Sequence, residues 1–339
     1  MNHLHEATRV ELPEEPFIWR DVSWHERHPL IRYETIRDGL PTGERHTASL
    51  GPGDLFPFLR TGDGPASGMW CNGFAHAEFD EDGAARFRQV PCPKSNRIAK
   101  GQQCPLCLHL DRFLPIHRAH RGAQLTEAAR AYVDRPHWLY VATFPDGSSK
   151  VGTAHERSKT SRLDQQAVAC ARYVALARDG RTVRDLEDAV SRALKLTQVK
   201  RVAAKLAGWL SPLAEESIVR NHERVVSQVR DFLDELDVEE FSAVDEPWRP
   251  GEFSEPFMAH VSNGTMWEAG SLGEDRGGDR RIASGSGPFL LTGPSRSDPG
   301  GPPAGPEVPS LMNMSSVKNR ACRVLPAPNS RAEEQIRLF

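Results

Sequence analysis

The sequence predicts an α+β fold in which a three-stranded sheet with flanking helices follows a cysteine-rich β module and precedes a helical segment and a small C-terminal β element. Three observations lead there. Four of the six cysteines crowd between positions 71 and 107. A strand, turn, strand pattern comes next, with His137 to Val141 and Lys150 to Gly152 joined through an Asp146-Gly147 turn. Helical periodicity then fills most of 186–236 before the chain becomes rich in Gly, Ser and Pro. The implied units are an N-terminal tail and strands over 1–65, a cysteine module over 66–125, the sheet core over 136–210, a helical segment over 211–250 and a loop-rich β element over 251–339.

Taken in order, residues 1 to about 15 read as a disordered tail. Leu30 to Ile36 and Arg45 to Leu50 read as strands separated by Gly39 and Gly43. Leu125 to Val133 is a short helix. After the hairpin, Gln166 to Ala171 is a small-residue helical stretch that makes Cys170 a small buried apolar group, and Tyr173 to Ala177 can supply a third strand. Leu186 to Leu210 is helical by pattern. Ser211-Pro212 then signals the start of a helix over Leu213 to Leu236, with Ile218, Val225, Val229, Phe232 and Leu236 on one face. Ser271 to Pro309 reads mostly as flexible loop, with Gly287 to Leu291 strand-like within it. Leu311 to Met314 and Ala321 to Leu325 would complete a C-terminal sheet.

Cys104-Pro105-Leu106-Cys107 is a C-x-x-C knuckle, a short turn that aims two thiolates at one cation, and Cys71 and Cys92 can close a tetrahedral set. Met1 to Arg9 is polar and carries no signal peptide, which points to a cytoplasmic, reducing location. There a C-x-x-C serves metal or redox chemistry more often than a structural disulfide. The redox reading wants a thioredoxin-like βαβ context that the loop-rich segment does not offer, so structural Zn²⁺ in a zinc-ribbon-like module is favoured over redox or free thiols. His76, His109, His117 and His120 are rival ligands, His109 being nearest the knuckle, but a fourth Cys makes them second choices.

An apolar share of 38% is low for one dense domain of 339 residues, so part of the chain must be loop. No window holds 18 uninterrupted apolar residues, which implies a soluble protein outside the membrane. The net charge of −3 conceals a split. Residues 150–205 carry 13 Lys and Arg against 6 Asp and Glu, and residues 211–256 carry 4 against 13. The basic block includes Arg192, Lys195, Lys200 and Arg201, where a phosphate backbone of DNA or RNA would be held. The plainer readings are a solvated helix face, or an acidic block packed beside the basic one.

The hairpin and the roughly forty residues after it resemble the GIY-YIG endonuclease superfamily. There the first motif ends in a Tyr, where Tyr140 stands, and the second begins with a Tyr ten positions later, where Lys150 stands ahead of Val151-Gly152. The family's catalytic Arg lies shortly afterwards at a helix start, here Ser161-Arg162-Leu163, and its metal-binding Glu on a later helix, here Asp185-Leu186-Glu187. The resemblance implies a three-stranded sheet that gathers an aromatic hydroxyl, a guanidinium and a carboxylate, with Arg162 stabilising phosphorane charge and Glu187 holding Mg²⁺ or Mn²⁺. The departure is Lys150, which stands where relatives use a Tyr to help activate water. An ammonium cannot do that unless burial or neighbours lower its pKa. More loosely, from about Gly68 to about Val324, the chain is similar to an uncharacterised bacterial and archaeal family that joins a cysteine-rich zinc module to such a core.

Two functional classes are open: a metal-dependent endonuclease acting through Tyr140, Lys150, Arg162 and Glu187, or a non-catalytic nucleic-acid- or protein-binding module that kept the scaffold. Partner, oligomeric state and sequence preference are not legible.

Overall fold

Helices and sheets alternate irregularly along the chain, and the sheets are almost wholly antiparallel, which makes the fold α+β. The computed structural model describes residues 8–62, 68–236, 240–262, 268–270, 279–294 and 309–325. Residues 1–7 of the expected tail lie outside that range. The rest of it is not a tail: Val10 is buried in the first core and its N–H bonds to the Leu55 carbonyl at 2.9 Å. Burying one such side chain yields about 2 kcal/mol, enough to offset the ordering of one or two residues, and Leu12 packs against the same core while the Leu55 N–H bonds to the Thr8 carbonyl.

Strand β1 (Phe17–His25) pairs with β2 (His28–Arg37), and β2 with β3 (Leu40–Ser49). β1 escapes pattern reading because its register shifts between Trp19 and Asp21, a bulge that breaks the period of two. The short β4 (Leu55–Phe56) and β5 (Leu59–Thr61) come next.

The cysteine module consists of β6 (Met69–Trp70) paired with β9 (Arg97–Ile98), a hairpin of β7 (Phe74–Phe79) and β8 (Ala85–Val90), and helix α1 (Pro105–Leu110). A 3-10 segment, Leu114–Arg121, and α2 (Glu127–Val133), capped by the Thr126 hydroxyl, pack on the hairpin through Ile116, Ala119, Ala129 and Val133.

The central sheet has the order β11-β10-β12-β13. β10 (His137–Thr143) and β11 (Ser149–His155) form the expected hairpin, with Gly147 at φ 76° in the turn and the Asp146 carboxylate accepting the Ser148 N–H. α3 (Lys159–Asp164) leads to β12 (Cys170–Ala177). The stretch expected as helix over 166–171 instead turns at Ala167, φ 52°, whose carbonyl accepts the Trp209 indole N–H while Cys170 opens the strand.

α4 (Gly180–Leu194) starts at the Asp179 cap and stops at Lys195, φ 54°. The helix expected over 186–210 is therefore two. Residues between them run beside the open edge of β11, where the Val151 N–H bonds to the Thr197 carbonyl, and α5 (Val202–Leu210) begins afterwards. An edge strand's free N–H outcompetes helix propensity here. α6 (Glu215–Asp234) buries Val225, Val226, Val229 and Leu233 against one face of the sheet, together with Val183, Leu186 and Val190 of α4. The opposite face packs Tyr140, Phe144, Leu163 and Tyr173 with Trp248.

The sheet has a fourth strand, β13 (Phe241–Pro247), in a segment expected to belong with the helices. Its side chains are mostly exposed, and the half-buried Phe241 and Val244 are three residues apart, so no alternation of period two marks it in the sequence. The chain continues through α7 (Glu255–Ser262), β14 (Glu268–Gly270), β15 (Arg280–Ser286), β16 (Phe289–Pro294), β17 (Ser310–Asn313) and β18 (Ala321–Val324). Residues 271–278 and 295–308 of the expected loop lie outside the described residues, and 279–294 is largely the β15–β16 hairpin.

β18 does not complete a C-terminal sheet. It inserts between β1 and β5 in the order β3-β2-β1-β18-β5, while β4 joins β14-β17-β16-β15. One core, with Phe17, Trp19, Ile31, Phe56, Ile282, Leu290 and Met312, serves both sheets, so the chain's two ends build a single unit.

Candidate functional sites

The four clustered cysteines meet. Cys71 follows β6, Cys92 follows β8, Cys104 caps α1 and Cys107 lies in its first turn. Their sulfurs all lie within 4.8 Å of one another, with Cys92 Sγ and Cys104 Sγ 3.9 Å apart. A tetrahedral Zn²⁺ with bonds of about 2.3 Å needs sulfurs about 3.8 Å apart, so the set fits that ion.

The surroundings suit thiolates. Cys71 Sγ accepts N–H groups from Gly73 at 3.4 Å and Cys104 at 3.1 Å. Burial raises the Cys71 and Cys107 thiols; at Cys104 burial acts in the same sense, but hydrogen bonds from Asn96 and the Cys107 backbone outweigh it and bring the thiol to about 6. Gly73, φ 76°, permits the turn: a Cβ there would sit 1.8 Å from the Val90 carbonyl oxygen. Arg20 and Arg45 share the buried Glu34 carboxylate and bond to the Trp70 and Asn72 carbonyls on either side of Cys71. They leave one positive charge beside a site that four thiolates and one Zn²⁺ would make doubly negative. None of the rival histidines joins the set. His76 and His109 are exposed, His117 bonds to Arg184, and His120 to Asp188.

The second site lies at the outer edge of β11. Tyr140 pairs with Gly152 across the hairpin and is fully buried. Its hydroxyl lies 2.5 Å from where a Cβ on Gly152 would sit, and has no hydrogen-bond partner among the described residues. Burial raises its pKa, and the charges of Arg162 and Glu187 act on it; Arg162 is near without meeting hydrogen-bond geometry. Lys150, on the same sheet face and 4% exposed, donates to Gln166 Oε1 at 2.9 Å, with its Nζ 5.7 Å from the Tyr140 ring centre. Burial, then the Arg162 charge, lowers it to about 8, with Glu187 acting in the opposite sense. Arg162 is exposed at the C-terminal half of α3 and forms no ion pair among the described residues. Glu187 is buried on α4, its pKa raised by burial, and its Oε2 accepts a hydrogen bond from Arg184 Nη1 at 2.6 Å. The four side chains therefore share one electrostatic neighbourhood.

In the sequence Arg184 and Lys205 count only as members of the basic block, and Gln166 only as part of a small-residue stretch. Lys205 on α5 is 6% exposed and donates to the same Gln166 Oε1, at 3.1 Å; burial, then Lys150 and Arg162, lower it to about 7. The two ammonium groups thus stand at most about 6 Å apart around one neutral oxygen, a repulsion of roughly 3 kcal/mol at an effective dielectric of 20. Only the three-residue spacing of Arg184 and Glu187 was visible as a helical ion pair in the sequence. Arg184 also donates to His117 Nδ1 at 2.8 Å, and burial holds His117 near 4, neutral and able to accept. The cysteine module's 3-10 segment is thereby keyed to the helix that carries Glu187.

Much of the basic block is paired with the acidic one. Arg172 bonds Glu223 and Asp245, Lys159 bonds Glu246 and Arg178 bonds Glu240. Lys200 is held by Asp146 and Ser148, and Arg192 donates to the Asp188 carbonyl. Lys195 and Arg201 are exposed at the end of α4 and the cap of α5.

No helix among the described residues is long and apolar enough to cross a membrane. Comparison with protein-family models, curated proteins and solved structures finds no match for the chain.

Proposed function

We propose that this chain is a nucleic-acid-associated zinc protein whose central sheet is a GIY-YIG-like core that hydrolyses phosphodiesters with a divalent metal. The observation that carries the reading is that the charges of Arg162 and Glu187 both act on Tyr140 and Lys150, beside one edge of β11, in the chain order of the motif. Lys150 meets the requirement its presence imposed: burial lowers it far enough to release a proton near neutral pH and assist an attacking water. Arg162, exposed and without a carboxylate partner, is free to meet charge that develops on a phosphate. The Tyr140 hydroxyl is a buried donor awaiting an acceptor. Glu187 offers one carboxylate, which suits Mg²⁺ or Mn²⁺ only if phosphate oxygens complete the shell and Arg184 yields Oε2. A metal there would withdraw charge from the leaving oxygen. The exposed Lys195 and Arg201 would add contacts along the backbone.

A second reading, nucleic-acid or protein binding without cleavage, is favoured by one observation, the Arg184–Glu187 ion pair that already occupies the carboxylate. Labelled single-stranded, double-stranded and branched DNA and RNA, incubated with Mg²⁺ or Mn²⁺, separate the two. Cleavage abolished by Glu187→Ala supports the nuclease; salt-sensitive binding without cleavage supports the binding module. Absence of both would remove the two nucleic-acid readings together.

A further inference from the structure

Lys150 and Lys205 are buried amines, and among the described residues neither forms an ion pair with a carboxylate when it carries its proton. The nearby acids are committed elsewhere, Asp146 to Lys200 and Glu187 to Arg184, and among the described residues the acceptor the lysines share is the Gln166 amide oxygen. One amide oxygen does not compensate the desolvation of two ammonium groups. Beside them stand the fully buried Tyr140 hydroxyl and, near it, an exposed Arg162 with no ion pair among the described residues. Each of these groups can donate a hydrogen bond, the Arg162 guanidinium carries a positive charge and the two amines can, and an anion would complement all of them.

We infer that the Lys150–Lys205 pair is a subsite for a phosphate monoester at the end of a nucleotide chain. The inference rests on the nucleic-acid reading above and names the substrate class more narrowly. Charge is the first reason: a monoester is close to a dianion at neutral pH and balances two ammonium groups, whereas an internal diester carries one charge and balances one. Burial is the second. At 4% and 6% exposure the lysines lie too deep for a phosphate whose chain must leave in two directions, while a terminal phosphate has one ester arm and can enter end-on. Arg162, exposed beside the pair, is then placed to hold the next phosphate along.

The test uses full-length, zinc-loaded protein with no added divalent activator. Fluorescence anisotropy compares oligonucleotides bearing a 5′-phosphate, a 3′-phosphate or hydroxyls at both ends. One phosphorylated end should bind at least about tenfold more tightly than the hydroxyl form, the worth of one charge-assisted hydrogen bond. Lys205→Met should abolish that advantage while leaving affinity for the hydroxyl form within about twofold, and millimolar inorganic phosphate should erase it in the unaltered protein, a check that does not depend on the variant folding. Equal affinity for all three oligonucleotides, or an advantage that survives both Lys205→Met and phosphate, overturns the subsite and leaves diester binding intact. No binding of any oligonucleotide overturns the subsite and the nucleic-acid reading beneath it.

Discussion

Lys205→Met should stabilise the protein at neutral pH, an uncommon outcome for a buried polar residue. Met preserves the stem that lies over Phe144, where Nζ is 5.3 Å from the ring centre, and removes only the ammonium. Burial and the neighbouring cations lower Lys205 to about 7, against roughly 10.4 in an unfolded chain. Between those values the unfolded chain binds a proton that the fold does not, so wild-type stability rises with pH from about 7 to about 10, and the cost of the lysine is greatest below that window. At about 1.4 kcal/mol per pKa unit the ceiling is roughly 5 kcal/mol. Losing the hydrogen bond to Gln166, worth about 1 kcal/mol, and incomplete desolvation reduce it, leaving a gain of about 2 kcal/mol at pH 7 that shrinks toward zero by pH 10. Urea denaturation of both proteins at pH 7 and 9.5, in zinc-saturated buffer, measures it. A variant less stable than wild type at pH 7, or a difference unchanged between the two pH values, would refute the picture of an uncompensated buried cation.

Other consequences are as direct. Anaerobically purified protein should hold one equivalent of zinc by elemental analysis, and less than about half an equivalent would count against a structural site. Gly73→Ala should abolish zinc retention, because its Cβ would meet the Val90 carbonyl at 1.8 Å and the left-handed turn beside Cys71 would open; zinc stoichiometry equal to wild type would contradict this. If Lys150 is the base, cleavage should rise with pH through about 8 and level off once the amine is neutral, and a profile flat from pH 6.5 to 9 would exclude that role.

Legible and hidden features of the chain divide along physical lines. The hairpin around Gly147, α6 and the cysteine set were legible because turn chemistry, helical period and thiol spacing are local. β1 was hidden by its bulge, β13 by its mostly exposed side chains, and β18 by a partner at the other end of the chain, Phe17 against Cys322 by register. The break between α4 and α5 depends on the open edge of β11, which no window of sequence contains. The same limit applies to the site. Tyr140, Lys150, Arg162 and Glu187 could be named from order alone, whereas the pairing of Lys205 with Lys150 around Gln166 arises only when α5 folds back across the hairpin.

The central claim is that nucleic-acid phosphate is held at the edge of β11, and a crystal structure of the zinc-loaded protein with a non-hydrolysable phosphorothioate oligonucleotide tests it most directly. The account predicts phosphate oxygens within hydrogen-bond distance of Lys150 Nζ and the Arg162 guanidinium, with the Arg184–Glu187 ion pair opened wherever a divalent ion is present. An oligonucleotide bound on another surface, with Lys150 and Lys205 still sharing Gln166 alone, would contradict it.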